Sequence, residues 1–474
     1  MDNGWQQKPG NRIYRPRRIR KYRLRRVLGV AAVFSAGYGN VGSSIYYALG
    51  IIAVTASGAT PIALGIAGIL FVFTALTYAE GTAMFPEAGG SASFALHGFN
   101  RTIGFLAGWA LMLSYIATIS ISAFTIPPYF GFFWEPLKSS PVISTAAAIG
   151  IILFLMLMNL IGVRETSVIN IGAAILDITT QITLIVIGFI LLFNPPVLIS
   201  RIVDNWPSTD KLVLGIALAS IAYTGIETAS QMAEETRIPE RRVPRALILM
   251  IFAVLAIFAG ISLVSFMAMT PQELGSEWAR DPVAGIAANI PVKILSDILK
   301  PLIGILAGTI LLIATNAGLI GISRLAFSLG QRKLAPRMFS EIHKRFQTPY
   351  IAILLFSAIG IVILVPGFFT PSVFENVGAL YAFGSLLAFM FSHASIISLR
   401  IRKPDQPRPF RLPLNINIGK ISLPVTAILG LAFTTIIWII INVTQPFSRL
   451  VGFVWMILGV LIYYIFSRRV SPDS

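Results

Sequence analysis

Asp177 lies deep in an otherwise apolar run, with Asn170 seven residues before it and Thr180 and Gln181 one turn after. On a helix these four share a face. An ionised carboxylate at the centre of a lone membrane helix costs on the order of 2.5–3.5 kcal/mol, so it should face an interior and have a partner. Such a group suits proton binding or cation coordination; the plainer reading is a protonated or hydrogen-bonded structural Asp. A second carboxylate, Glu227, shares a stripe with Ser220, Thr224 and Gln231 around Gly225, and a third, Glu80, closes another apolar run. Span eight carries Thr309, Asn316 and Ser323 at seven-residue spacing with Thr315 adjacent, and span three carries Ser114, Thr118, Ser122 and Thr125 beside Tyr115. Both sets predict a polar inward face, although such hydroxyls also bond back to their own helix. His97, His343 and His393 are too scattered for a metal cluster, and His393 reads as a packed residue rather than a proton relay. With no cysteine, disulfides, thiolate metal sites and cysteine nucleophiles are excluded. No Ser/His/Asp or paired-carboxylate constellation stands out, so an enzyme, a metal and a cofactor are not expected.

The elements that must position these groups are interrupted helices. From Ser35 to Tyr47 three glycines, Gly37, Gly39 and Gly42, fall within six residues of an apolar segment. Each raises the cost of helix by roughly 1 kcal/mol relative to Ala. Their Gly-x-Gly-x-x-Gly pattern matches a dinucleotide-binding turn, but no strand precedes it and the next carboxylate after Gly42 is Glu80, too far on to hold a ribose. Close packing of two membrane helices is the other explanation. Gly225 marks a second break five spans later. Two discontinuous helices in corresponding positions are the signature of an inverted repeat with a substrate site at the bilayer midplane, where N–H groups meet an anion and C=O groups a cation. A free amino acid carries both ends.

The frame is a membrane protein: 474 residues, 55% hydrophobic and 12% charged, with mean hydropathy +0.79. Twelve apolar runs are long enough to cross, at 27–52, 60–84, 101–127, 142–162, 168–193, 212–235, 244–269, 301–330, 349–366, 372–400, 423–443 and 447–467. In a twelve-span arrangement with the N-terminus inside, 30 of the 37 Lys and Arg fall on the inner side. Only Lys138, Arg201, Lys211, Arg280, Lys293, Lys300 and Arg449 fall outside. This asymmetry places both termini in the cytoplasm, and the net charge of +17 is read as set against anionic headgroups rather than nucleic acid. Residues 1–26 form a basic tail without a cleavable signal pattern. The charged turn 233–245 after span six reads as a solvated anchor, or as ion pairs that help close an inner gate.

The chain resembles the amino acid–polyamine–organocation superfamily of transporters over nearly its full length. The likeness rests on the glycine-rich break at 37–44, Pro-Glu-Ala-Gly-Gly at 86–90 and Gly-Val-Arg-Glu-Thr at 162–166. It rests also on Tyr-Thr-Gly-Ile-Glu at 223–227, the 233–246 segment, and the Ser-Arg and Thr-Pro elements after span eight. The resemblance implies an all-α fold like that of the leucine transporter, a five-plus-five inverted repeat with discontinuous helices 1 and 6. Repeat one would occupy 27–194 and repeat two 195–400, with two further helices in 401–474. It implies a substrate carboxylate held by backbone N–H groups from Asn40 to Ser43, within a site of Gly37, Gly39, Asn40, Val41, Gly42 and Ser43. The ammonium would meet carbonyls of Ile221, Ala222 and Tyr223 beside Gly225, with the side chains of Ile221, Tyr223 and Thr224 facing the variable part of the substrate. Asp177 falls where many proton-coupled members carry a lysine, so Asp177, Glu227, Thr315 and Asn316 are the expected coupling-ion or proton residues. The expected activity is amino acid import in symport with protons, monomeric by default, with sodium as the other coupling ion. A polyamine or organic-cation transporter, an amino acid exchanger, and a non-transporting receptor or scaffold are the alternatives.

Overall fold

A computed structural model of the chain describes residues 26–87, 89–162, 167–370 and 372–467. Val163–Thr166 of the 162–166 motif and residues 1–25 of the basic tail lie outside the described residues. The order of elements is α1 (Val30–Val41), α2 (Ile45–Ala56), α3 (Thr60–Met84), α4 (Ser91–Gly98), α5 (Arg101–Tyr129), α6 (Pro136–Ser139), α7 (Pro141–Ile161) and α8 (Ser167–Leu192). It continues through α9 (Pro195–Val203), α10 (Thr209–Ala219), α11 (Glu227–Gln231), α12 (Pro239–Ala268), α13 (Pro271–Gly275), α14 (Pro282–Ala288) and α15 (Lys293–Gln331). Last come α16 (Tyr350–Leu364), α17 (Val373–Arg402), a hairpin of β1 (Asn415–Ile418) and β2 (Ile421–Pro424), α18 (Val425–Thr444) and α19 (Pro446–Ser467). In the hairpin Asn415 faces Pro424 and Ile418 faces Ile421.

Lipid cannot pair backbone N–H and C=O groups, so these long apolar runs are stable there only as helices. Eleven helical stretches among the described residues are long and apolar enough to cross a membrane. Twelve runs were expected; the difference lies at the start, where Val30–Met84 forms one helical stretch of 55 residues. Straight, it would be about 80 Å long, more than twice the hydrocarbon thickness. It is divided by short 3₁₀ turns at Gly42–Ser44 and Ser57–Ala59, and Ser57 takes φ 44°.

The most buried helices are α5, α17 and the Thr209–Glu235 stretch, while α8 and α19 are largely exposed along their lengths. α5 packs on α15 and α17, α3 on α12, and α1 on α12 and α8. The pieces of the two broken helices, α1, α2, α10 and α11, pack against one another and against α3, α12 and α15, with α8 against α1 and α17 against α2 and α10. That arrangement buries the polar residues singled out above: Asn40, Ser43, Asp177, Thr224, Glu227, Thr315 and Asn316 are each at most 5% exposed.

Candidate functional site

The first break is milder than the glycines suggest. Residues 42–44 stay in right-handed helical angles and only tighten to a 3₁₀ turn. The second break is complete: after the 3₁₀ turn Ser220–Tyr223, Thr224 is extended and Gly225 takes φ +103°, before α11 restarts. That φ is open to glycine and strained for any L side chain. A Cβ at Gly225 would also meet the Asn40 side chain, 2.7 Å from its Cγ. Asn40 ties the two breaks together, its Nδ2 donating to Thr228 Oγ1 at 2.9 Å and to the Gly225 carbonyl at 3.5 Å. Ser43 Oγ donates to the Asn40 carbonyl at 2.9 Å, and Thr224 Oγ1 to the Ile221 carbonyl at 2.7 Å.

Asp177, on α8, accepts three hydrogen bonds. Tyr38 Oη and Gln181 Nε2 reach Oδ2 at 2.9 and 2.6 Å, and Tyr46 Oη reaches Oδ1 at 2.7 Å. Tyr38 precedes the first break and Tyr46 follows it. Among the described residues no cation lies within salt-bridge distance of Asp177, and donors fill its shell. Such a shell suits an anion rather than a metal ligand. Thr315 Oγ1 instead bonds back to the Leu311 carbonyl, and Asn316 Oδ1 accepts from Asn159 Nδ2 at 2.6 Å.

Glu227 opens α11, and its Oε2 accepts from the Gly225 N–H at 3.2 Å. Its Oε1 is buried without a hydrogen-bond partner, as is the Gln231 amide nitrogen. Close to Glu227 lie the hydroxyls of Tyr78, beside Ser91 and Ser392, of Tyr115, beside Thr228, and of Tyr381, beside Thr118 and Thr224. The three phenols come from α3, α5 and α17 and are fully buried. A buried polar group left unpaired costs about 1–3 kcal/mol, so this convergence is where a polar guest or water would be favoured. Sequence reasoning named Glu227 but passed over Tyr78 and Tyr381, because a lone Tyr in an apolar run is indistinguishable from core.

Residues 28–466 match the amino acid permease family. The chain belongs to that family. Through it the chain is a member of the amino acid–polyamine–organocation superfamily, a secondary transporter of small solutes embedded in a membrane, and not an enzyme. It is similar to the branched-chain amino acid permease BcaP of Bacillus subtilis strain 168, 26% identical over 476 residues covering 94% of both chains. It is also similar to the methylthioribose transporter of the same organism, 26% identical over 455 residues and 91% of both chains. A third relative is the low-affinity putrescine importer PlaP of Escherichia coli K12, 25% identical over 370 residues, 75% of this chain and 76% of that one. An amino acid, a sugar thioether and a diamine are named among these relatives, so similarity at this level leaves the cargo open.

Several polar residues of this transporter turn out to be occupied elsewhere. Glu80 is clamped by the guanidinium of Arg400 through both oxygens, at 2.7 and 2.6 Å, and by the Leu412 N–H at 2.7 Å. It therefore fastens α3 to the end of α17 and to the segment before β1, and is not a free interior acid. Tyr223 donates to the Leu64 carbonyl at 3.0 Å, its ring between Phe71 and Phe258. Ile221 packs near Ile51 and Ile121 around Gly378. Thr118 and Thr125 bond back to Ser114 and Ile121, while Ser114 reaches Ser385 on α17 at 2.7 Å. Thr309 is exposed and bonds back to Ile305, so the inward face expected of α15 begins only at Thr315. Thr309 lines instead an apolar groove of about 370 Å³ with Phe130, Leu137 and Ile151. His393 is fully buried, 2.9 Å from Thr77 Oγ1, in a packed setting.

Both ends of the permease are fastened. At the end carrying the start of α1, Leu28 pairs with Thr236, and the Val27 and Leu28 N–H groups donate to the Glu235 carbonyl. The Glu235 side chain meets Arg324 of α15 at 2.8 Å. Nearby, Glu87 is held by His97, Ser93 and Arg332. Those contacts, led by the His97 hydrogen bond, pull its carboxyl from 4.5 to about 2. At the far end, the 276–281 loop covers α2. Ala279 lies against Gly50, and Asp281 pairs with Lys138 at 2.8 Å, whose ammonium also sits 3.7 Å over the Trp278 ring. Arg280 reaches inward to Ser144 Oγ at 2.7 Å and over Phe124. Burial raises the Asp281 carboxyl against the pull of Lys138, and burial lowers the Arg280 guanidinium.

Proposed function

We propose that this permease imports amino acids across the cytoplasmic membrane by alternating access, coupled to protons. The observation that carries the reading is the meeting of the two broken helices, joined by Asn40 to Thr228 and Gly225, at the centre of a bundle fastened at both ends. Opening those fastenings one at a time would expose the same centre to opposite sides. The 55-residue first stretch is read as two crossings, giving twelve spans, with repeats at 27–194 and 195–400 and both termini cytoplasmic. The substrate carboxylate would meet the turn at Gly37, Gly39, Asn40, Val41, Gly42 and Ser43, and the ammonium the carbonyls of Ile221, Ala222 and Tyr223 beside Thr224 and Gly225. Asp177 is the proposed proton-coupling group, with Glu227 as a second; Thr315 and Asn316 lie outside the hydrogen-bond shell of Asp177.

One observation favours a second reading, an organic cation such as a polyamine. Glu227 Oε1 is buried without a hydrogen-bond partner, close to the phenols of Tyr78, Tyr115 and Tyr381. The test is competition against labelled leucine and, separately, labelled putrescine in liposomes holding the purified protein, repeated with Glu227→Gln. Leucine uptake by the parent, with leucine–leucine exchange retained in Glu227→Gln, supports the amino acid reading. Putrescine uptake that Glu227→Gln abolishes, without leucine uptake, replaces it with the cation reading.

A further inference from the structure

Tyr38 and Tyr46 are eight residues apart, roughly 12 Å along a helix, yet their hydroxyls converge on one carboxylate. Each holds a different oxygen of Asp177, one from α1 and one from α2. Gln181 supplies the third donor and lies 3.4 Å from Tyr38 Oη. The outer of these tyrosines is itself held: Tyr129 of α5 donates to the Tyr46 carbonyl at 2.7 Å and meets its ring edge to face, centroids 5.5 Å apart. Among the described residues, the groups acting on Asp177 are Tyr38 and Tyr46 from α1 and α2, Gln181 from α8, and Tyr129 through Tyr46. No charged group of α12 or α15, which also pack on α8, acts on it.

We infer that Tyr38 and Tyr46 are positioning residues that clasp Asp177 from both sides of the first break, so that one proton loosens the hold of both half-helices on α8 together. This rests on the reading of Asp177 as the coupling group. The chemistry is that of the acceptor. Hydrogen bonds to an ionised carboxylate are roughly twice as strong as those between neutral groups. A proton on Oδ1 or Oδ2 turns that oxygen into a donor, so the phenol aimed at it must rotate or leave. The other oxygen becomes a neutral carbonyl, whose hydrogen bond is roughly half as strong. Because the phenols sit on different oxygens and on opposite sides of the 3₁₀ turn, one proton weakens the hold of both halves on α8.

The phenylalanine variants remove only the hydroxyls. Tyr38 keeps its stacking on Phe34, centroids 5.7 Å apart, and Tyr46 its contact with Tyr129. Hydrogen–deuterium exchange of the full-length protein in liposomes, at pH 7.5 and 5.5 and corrected for intrinsic exchange, reads each half separately. In the parent, acid should raise exchange in both 30–41 and 45–56 at least tenfold. With Tyr46→Phe, 45–56 should exchange fast at both pH values while 30–41 still responds; Tyr38→Phe should do the reverse. Asp177→Asn should abolish the pH response of both. Parent-like exchange in both tyrosine variants, with Asp177→Asn unresponsive, overturns the clasp and leaves Asp177 as the coupling group. A parent-like response in Asp177→Asn overturns the coupling reading, and the clasp with it.

Discussion

Closure at the far end depends on the absence of a side chain at position 50. Gly50 of α2 meets the backbone of Ala279, and a methyl group there would overlap the Ala279 carbonyl, 2.6 Å from its carbon and 2.7 Å from its Cα. Ordinary contact needs about 3.4 Å or more, so the loop must retreat by about 0.8 Å or further. It cannot do so freely, because Asp281 is tied to Lys138 and Arg280 to Ser144. Overpacking of this kind costs about 1–3 kcal/mol. In an open arrangement with loop and helix apart the methyl meets nothing there, so the cost falls on the closed state alone. Gly50→Ala should thus shift the balance toward far-end opening by roughly 5- to 150-fold. The chain lacks cysteine, so a single Ile121→Cys reporter in the buried centre can be read by maleimide labelling. Gly50→Ala should label at least fivefold faster from the far side and take up substrate more slowly. Gly150→Ala, on α7 with open space around its Cβ, is the control and should leave both unchanged. A folded Gly50→Ala protein that labels and transports like the parent would refute the lid argument.

Three further outcomes follow from the same geometry. Gly225→Ala combines a φ of +103° with a clash on Asn40, a strain of about 1–3 kcal/mol for the backbone alone, and should cut uptake at least tenfold while the protein still elutes as a folded species. Arg400→Met removes the closer guanidinium from the buried Glu80 carboxylate, leaving Arg408 at 3.5 Å and the Leu412 N–H, and should lower the Tm in detergent by the equivalent of about 3 kcal/mol or less; adding Glu80→Leu should restore most of the loss. Glu87, held near 2 against an ordinary 4.5, favours the fastened state while ionised. That contribution is complete above about pH 4.5 and is lost as pH falls toward 2. Glu87→Gln should therefore lower the Tm in detergent at pH 7, and the difference from the parent should shrink as pH falls from about 4.5 toward 2.

Much of the fold was legible because lipid leaves the chain few choices: long apolar runs must be helices, and Gly225 announced a break that no other residue type permits. The glycines at 37–42 promised more than the 3₁₀ turn they make, because Gly37 and Gly42 are also needed for close packing, against Met250 and the Tyr38 ring. Asp177 was conspicuous by its charge, but its partners Tyr38 and Tyr46 lie 139 and 131 residues away and look like ordinary core aromatics. Glu80 drew notice as an interior acid for the same reason, with Arg400 lying 320 residues on. Thr309 misled because a hydroxyl bonded to the carbonyl one turn back is cheap in lipid, so seven-residue spacing does not say which face is wet.

The most direct measurement of the central claim is leucine accumulation in liposomes containing the purified protein, under an imposed inward proton gradient and separately under a sodium gradient. The account predicts accumulation with the proton gradient alone, abolished by Asp177→Asn while leucine–leucine exchange persists. Accumulation driven by sodium, or proton-driven accumulation unchanged in Asp177→Asn, would contradict it.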